Sequence, residues 1–201
     1  MSVDPSEINT MAPYINNSEG HLLVFGLGMG YFPYLASKNK KVKDITIVEL
    51  DENIIDIFHT YLLPKLDFSC PIHIIHDDAF NYIKHHDMSK FDTLFMDIWH
   101  NPEDGLPLFI KFENLLIDYK GKKYYWLHKS LLAMLRRCLL TVLEEQISGA
   151  TEKDYLKENN DYDHIINQLY FLTKEEIIDN PSKIKEILSD EYLSKLAKKV
   201  R

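Results

Sequence analysis

His21-Leu-Leu-Val-Phe-Gly-Leu-Gly-Met-Gly-Tyr31 is an apolar run that breaks into alternating glycines at Gly26, Gly28 and Gly30. Glycine adopts positive φ cheaply and lets a ligand approach bare backbone, so a strand, a glycine turn and a helix in that order read as a nucleotide cradle. Glu49 ends the next apolar run, about 20 residues on, where open α/β folds place the carboxylate that holds a ribose.

Outward from this stretch, short β-rich runs alternate with segments of helical spacing up to about residue 127. The runs predict strands over 21–25, 44–49, 72–76, 91–96 and 122–127. Helices are expected over Tyr31–Lys38, after an Asp51 N-cap with Ile54, Ile55, Phe58 and Leu62 on one face, over Ala79–His86, and over Leu106–Tyr119. A long amphipathic helix follows over His128–Ile147, with Leu131, Leu135, Leu139 and Val142 as its stripe and Gly149 as its stop. From Thr151 the chain reads as helical, with Ile165, Leu169 and Leu172 at helical spacing and a break at Asn180-Pro181. The expected fold class is α/β: a Rossmann-like parallel sheet of about five strands flanked by helices, with a helical C-terminal extension. The corresponding division is a lead-in over 1–20, the Rossmann-like domain over 21–150 and the extension over 151–201.

The 201 residues carry 45% hydrophobic and 27% charged side chains, ordinary values for a globular protein. The formal net charge of -8 disfavours nucleic acid as a partner. The N-terminus reads as neither a signal nor a membrane anchor, and no uncharged run approaches the roughly 18 residues of a membrane span. Cys70 and Cys138 fall in separate predicted elements outside any metal-ligand spacing, so the expected home is the cytoplasm. No metal site is expected: His85 and His86 point apart on a helix, and His73 and His76 point to opposite faces of a strand.

Four motifs close four successive predicted strands: Gly26-Leu-Gly-Met-Gly30, Glu49-Leu-Asp51, Asp77-Asp-Ala-Phe80 and Asp97-Ile-Trp-His100. The carboxyl ends of the strands are where open α/β sheets bind ligands. Over roughly residues 20–130 the set resembles the class I S-adenosylmethionine-dependent methyltransferases, and among them the spermidine synthase-like branch. The resemblance implies S-adenosyl-L-methionine as cofactor. It places Gly26, Gly28 and Gly30 around the amino acid part of the cofactor, Glu49 on the ribose hydroxyls, and Asp78 with Ala79 at the adenine. Asp97, Trp99 and His100 are the candidates for facing the acceptor, a small molecule or a protein.

Two departures from the family pattern stand out. Aminopropyltransferases typically carry a second acidic residue three positions after the first, where this chain has His100, and the antiparallel hairpin that usually closes the sheet is either replaced by helices or concealed in sequence that reads as helical. Methyl transfer is therefore the leading expectation, with aminopropyl transfer and a catalytically inactive interaction module as alternatives. NAD chemistry is disfavoured, because the dinucleotide fingerprint needs Gly or Ala where Tyr31 stands. Any apolar edge left over on the 128–147 helix is suited to a homodimer.

Overall fold

Each run read as a strand is a strand in the computed structural model, which describes residues 5–156, 158–176 and 180–201. β1 (Gly20–Phe25), β2 (Val42–Glu49), β3 (Ile72–His76), β4 (Thr93–Met96) and β5 (Lys122–Tyr125) form one all-parallel sheet in the order β3-β2-β1-β4-β5. The order reverses direction between β1 and β4, so the topological switch point lies where Phe25 and Met96 pair, immediately before Gly26 and Asp97. The chain divides into two compact units, Met1–Ile98 with Asp118–Trp126 and Trp99–Ile117 with Leu127–Arg201.

The first unit holds the sheet. Leu22, Val24, Ile45, Ile47 and Phe95 project from one face into a core shared with α1 (Pro5–Asn17) and α2 (Tyr31–Ser37). Alternation along each strand requires this, since neighbouring side chains leave on opposite faces. Phe32 of α2 stacks on Phe95 with ring centroids 3.5 Å apart. Tyr124 and Trp126 pack against the same core, and Tyr125 is buried. On the opposite face Tyr82 of α4 (Ala79–His85) meets Phe25 edge-on.

Two local features went unread in the sequence. α1 forms where only a lead-in was expected; it has Pro13 inside it and buries Met11 and Ile15. α3 (Glu52–Ile57) starts at the expected Asp51 cap, which accepts from the Asn53 amide, but opens into a π-turn over Phe58–Leu62. Pro64 explains the change: it has no N–H for the Thr60 carbonyl and its ring would crowd that oxygen. The Leu63 amide instead bonds the Phe58 carbonyl five residues back.

The second unit is entirely helical among the described residues: α5 (Pro102–Leu115), α6 (His128–Ile147), α7 (Asp161–Thr173), α8 (Pro181–Ile187) and α9 (Asp190–Ala197). α5 starts four residues before the expected Leu106, because Asn101 and Asp104 close a reciprocal capping box and Pro102 suits the first turn. Pro107 inside α5 supplies no amide for the Glu103 carbonyl, and the Tyr162 hydroxyl donates to that oxygen at 2.7 Å. Burial, and then the neighbouring Cys138, Glu103 and Asp104, push the Tyr162 phenol up to about 12, which keeps it protonated as that donor. Tyr162→Phe is expected to cost about 1 kcal/mol in a urea titration, the net value of one such bond.

α6 packs against α5, α7 and α9, and its stripe of Leu131, Leu135, Leu139 and Val142 is fully buried. Gly149, at φ 91°, takes the left-handed position after the helix end. His128 opens α6 beside the Phe109 ring; burial lowers its pKa, against the opposing pull of Glu113 and Asp190. The unfolded chain therefore takes up a proton more readily than the folded one in this range. The resulting stability is complete above the ordinary imidazole pKa and is lost as pH falls through it. Between about pH 7.5 and about pH 5.5, wild type is expected to lose more thermal stability than His128→Phe. No described helix is long and apolar enough to cross a membrane.

Candidate functional site

The site begins with how β1 ends. The Gly26 amide continues the ladder by donating to the Val48 carbonyl at 2.9 Å, but its φ of 94° then turns the chain out of the sheet. A side chain at Gly26 has no room, since an added Cβ would collide with the Asp97 carbonyl oxygen. Gly28 and Gly30 also hold positive φ, 53° and 74°. Gly30 is the N-cap of α2, where its carbonyl accepts from the Tyr34 amide. Its open side is filled by the ring of Phe58, which an added Cβ would strike.

Glu49 fastens this loop. Its Oε2 accepts from the Leu27 amide at 2.7 Å and its Oε1 from the Asp51 amide at 2.9 Å, while the residue is only 9% exposed. These bonds satisfy one buried amide in the glycine loop and tie the loop to the start of α3. Charge-assisted bonds of this kind are roughly twice as strong as neutral ones. Asp51 sits below the usual carboxylate range, chiefly because the Asn53 side chain and amide donate to it.

The other strand ends lie beside these two. The Asp77 amide donates to the Glu49 carbonyl at 3.0 Å, and the Asp97 amide donates to the Phe25 carbonyl at 2.9 Å. Gly26, Glu49, Asp78 with Ala79, and Asp97 therefore line one edge of the sheet. Asp78 is the N-cap of α4 and accepts from the Asn81 amide, whereas Asp77 accepts from the Asp78 amide and the Asn81 side chain. The field of Asp77 also reaches Tyr82, whose phenol is raised first by burial and then by that carboxylate.

Trp99 and His100 belong to the second unit. Trp99 is buried and meets Phe112 edge-on. The side chain of His100 is 93% exposed, and its Nδ1 lies 3.0 Å from Asp104 Oδ2. Burial acts to raise the Asp104 pKa, but the amides of His100 and Asn101 and the His100 ring together bring it below the usual range. Asp104 and Phe58 were not singled out from the sequence. The Asn101-x-x-Asp104 spacing is the signal for the first; the second has none, because its role depends on a ring meeting a distant glycine.

Cys70 and Cys138 are both free thiols. The His85 and His86 rings each bond a backbone carbonyl one turn back, Asn81 and Tyr82, and His76 Nε2 bonds the Leu50 carbonyl. No group of three or more metal-ligating side chains occurs among the described residues.

The profile of the spermine/spermidine synthase domain matches residues 7–111, just over half of the chain. Among solved structures, spermidine synthase from Thermotoga maritima is 17% identical, with a TM-score of 0.41 over 58% of this chain and 39% of its own. A SAM-dependent methyltransferase from Archaeoglobus fulgidus is 20% identical, with a TM-score of 0.39 over 59% and 47%. MNMC2 from Aquifex aeolicus is 21% identical, with a TM-score of 0.41 over 67% and 51%. The chain thus spans about two fifths to one half of the length of these proteins, and no curated protein matches it. With the profile matched over just over half of its length, the chain belongs to the spermine/spermidine synthase domain family.

Proposed function

We propose that the strand-end cradle binds S-adenosyl-L-methionine and that the chain transfers its methyl group to a small-molecule or protein acceptor. The observation that carries this reading is the bond from the Leu27 amide to Glu49, which joins the glycine loop and the ribose carboxylate into one preformed piece. An adenosyl ligand suits the residues present. A carboxylate offers about four lone-pair sites, so Glu49 can accept two vicinal hydroxyls beyond the Leu27 and Asp51 amides that it already holds. Asp78, beside Ala79, can accept an amino group while capping α4, and Gly28 leaves the middle of the loop without a side chain.

The sulfonium donor supplies an electrophilic carbon when bound. The first unit's own contribution is to fix that ligand through Glu49 and Asp78 and to orient the acceptor through Asp97, the acceptor's proton passing to solvent. In-line transfer gains most of its acceleration from such positioning.

The spermine/spermidine synthase profile favours a second reading, aminopropyl transfer from decarboxylated S-adenosylmethionine, while His100 at the position of the usual second carboxylate weighs against it. A thermal-shift titration with S-adenosylmethionine, its decarboxylated form, S-adenosylhomocysteine and NAD separates them. A ligand specific for the folded state at 100 times its Kd adds about 2.7 kcal/mol of apparent stability. Saturable shifts with S-adenosylmethionine and S-adenosylhomocysteine but not NAD are expected. Preference for the decarboxylated form would instead assign aminopropyl transfer, and no shift at millimolar concentration would make the chain an interaction module.

A further inference from the structure

We infer that Phe58 is a positioning residue for the glycine loop: it holds Gly30 in its left-handed conformation and so fixes the loop in the shape that takes a ligand, without touching the ligand itself. This inference rests on the cradle reading above and adds to it a residue outside every strand-end motif.

The loop has two ends with different anchors. Its start is held by hydrogen bonds, from Gly26 to Val48 and from Leu27 to Glu49. Its middle is open, with Met29 45% exposed. At its far end Gly30, at φ 74°, bonds back only within the turn and into α2, through the Leu27 carbonyl and the Tyr34 amide. What lies against Gly30 from outside the loop is the Phe58 ring, so close that no Cβ fits between them.

Phe58 is itself immobilised. It is fully buried, with Phe68 edge-on to its ring at 6.4 Å. Its amide bonds the Ile54 carbonyl and its own carbonyl is taken by the Leu63 amide of the π-turn. Side-chain torsion is the only freedom left, and close packing restricts that. The span from Glu49 to Phe58 therefore delivers both clamps, a carboxylate at the start of the loop and a ring at its end. A π-turn within a helix often marks a functional position, and here it secures the residue beneath the loop.

Hydrogen exchange and calorimetric titration with S-adenosylhomocysteine test this on the full chain and its variants Phe58→Leu, Phe58→Ala, Gly30→Ala and the Gly30→Ala/Phe58→Ala pair. If Phe58→Ala leaves the competent loop shape about one tenth populated, apparent affinity falls about tenfold. Exchange at Leu27–Tyr31 is expected to rise by a similar factor while β1 and β2 amides hold their protection. Phe58→Leu should restore part of both effects, and the paired variant should bind no more weakly than Gly30→Ala alone, since both changes act on one contact. Loop exchange unchanged in Phe58→Ala, or raised equally across loop and strands, would overturn the inference and leave Phe58 as ordinary core. Wild type that fails to bind S-adenosylhomocysteine would remove the cradle reading, and the exchange comparison would still decide whether Phe58 orders the loop.

Discussion

Glu49→Ala is expected to abolish saturable binding of adenosyl ligands and to destabilise the protein even without ligand. Both outcomes follow from the same carboxylate, which accepts from Leu27 and Asp51 while nearly buried. Removing it strands two amides, one of them in the loop, and the loss is about 3–6 kcal/mol if each charge-assisted bond is worth its usual net amount. Loss of the proposed ribose contact adds about a hundredfold or more in Kd, since a site built to bond hydroxyls then leaves them unpaired. Glu49→Gln separates the two effects. Its amide oxygen can still accept from one backbone amide, so much of the stability should return, whereas its NH2 group faces the hydroxyl or amide donors less well and binding should stay weak. Urea denaturation and calorimetric titration of the same two variants read the two quantities.

Gly26→Ala is expected to have the largest effect on folding of any single methyl added in the first unit. Its φ of 94° is unfavourable for any side chain, and the new methyl would meet the Asp97 carbonyl oxygen, which is backbone and cannot rotate away. Strain of about 1–3 kcal/mol from the dihedral combines with displacement of the β1 and β4 ends, so a loss of about 3 kcal/mol or more is expected from urea titration. Because Asp97 moves with it, the proposed acceptor side is disturbed as well as the proposed cradle. Gly149→Ala serves as the comparison: that glycine also has positive φ, but an added Cβ meets nothing, so only the dihedral strain applies.

The centre of the parallel sheet was legible because β1 and β4 are near-continuous apolar runs, the signature of strands covered on both faces, whereas β3 and β5 were marked by their β-branched and aromatic residues. Each strand was placed within about two residues of its observed limits, the usual uncertainty at element ends. The misplaced start of α5 has a definite cause: its first turn, Pro102-Glu-Asp-Gly105, is polar, so apolar spacing did not mark it and only the Asn101–Asp104 box did. α1 was hidden by Pro13, and the π-turn by the ordinary helical spacing of Phe58 and Leu62. For the site, sequence order was enough to bring Gly26, Glu49, Asp78 and Asp97 to one edge, since parallel strands joined by crossovers all end on the same side. It did not disclose that Glu49 also fastens the loop, that Phe58 lies beneath Gly30, or that Asp104 orients His100. Those depend on contacts between side chains and distant or capped backbone, which no local pattern encodes.

The proposed binding of an adenosyl ligand falls on the edge formed by Gly26–Gly30, Glu49, Asp78 and Ala79. Titration of isotope-labelled protein with S-adenosylhomocysteine, followed by amide chemical shifts, tests it residue by residue. Saturable changes are expected at the amides of residues 26–31, 49–51 and 77–79, with one common dissociation constant. No change at millimolar ligand, or changes confined to residues outside these three segments, would contradict it.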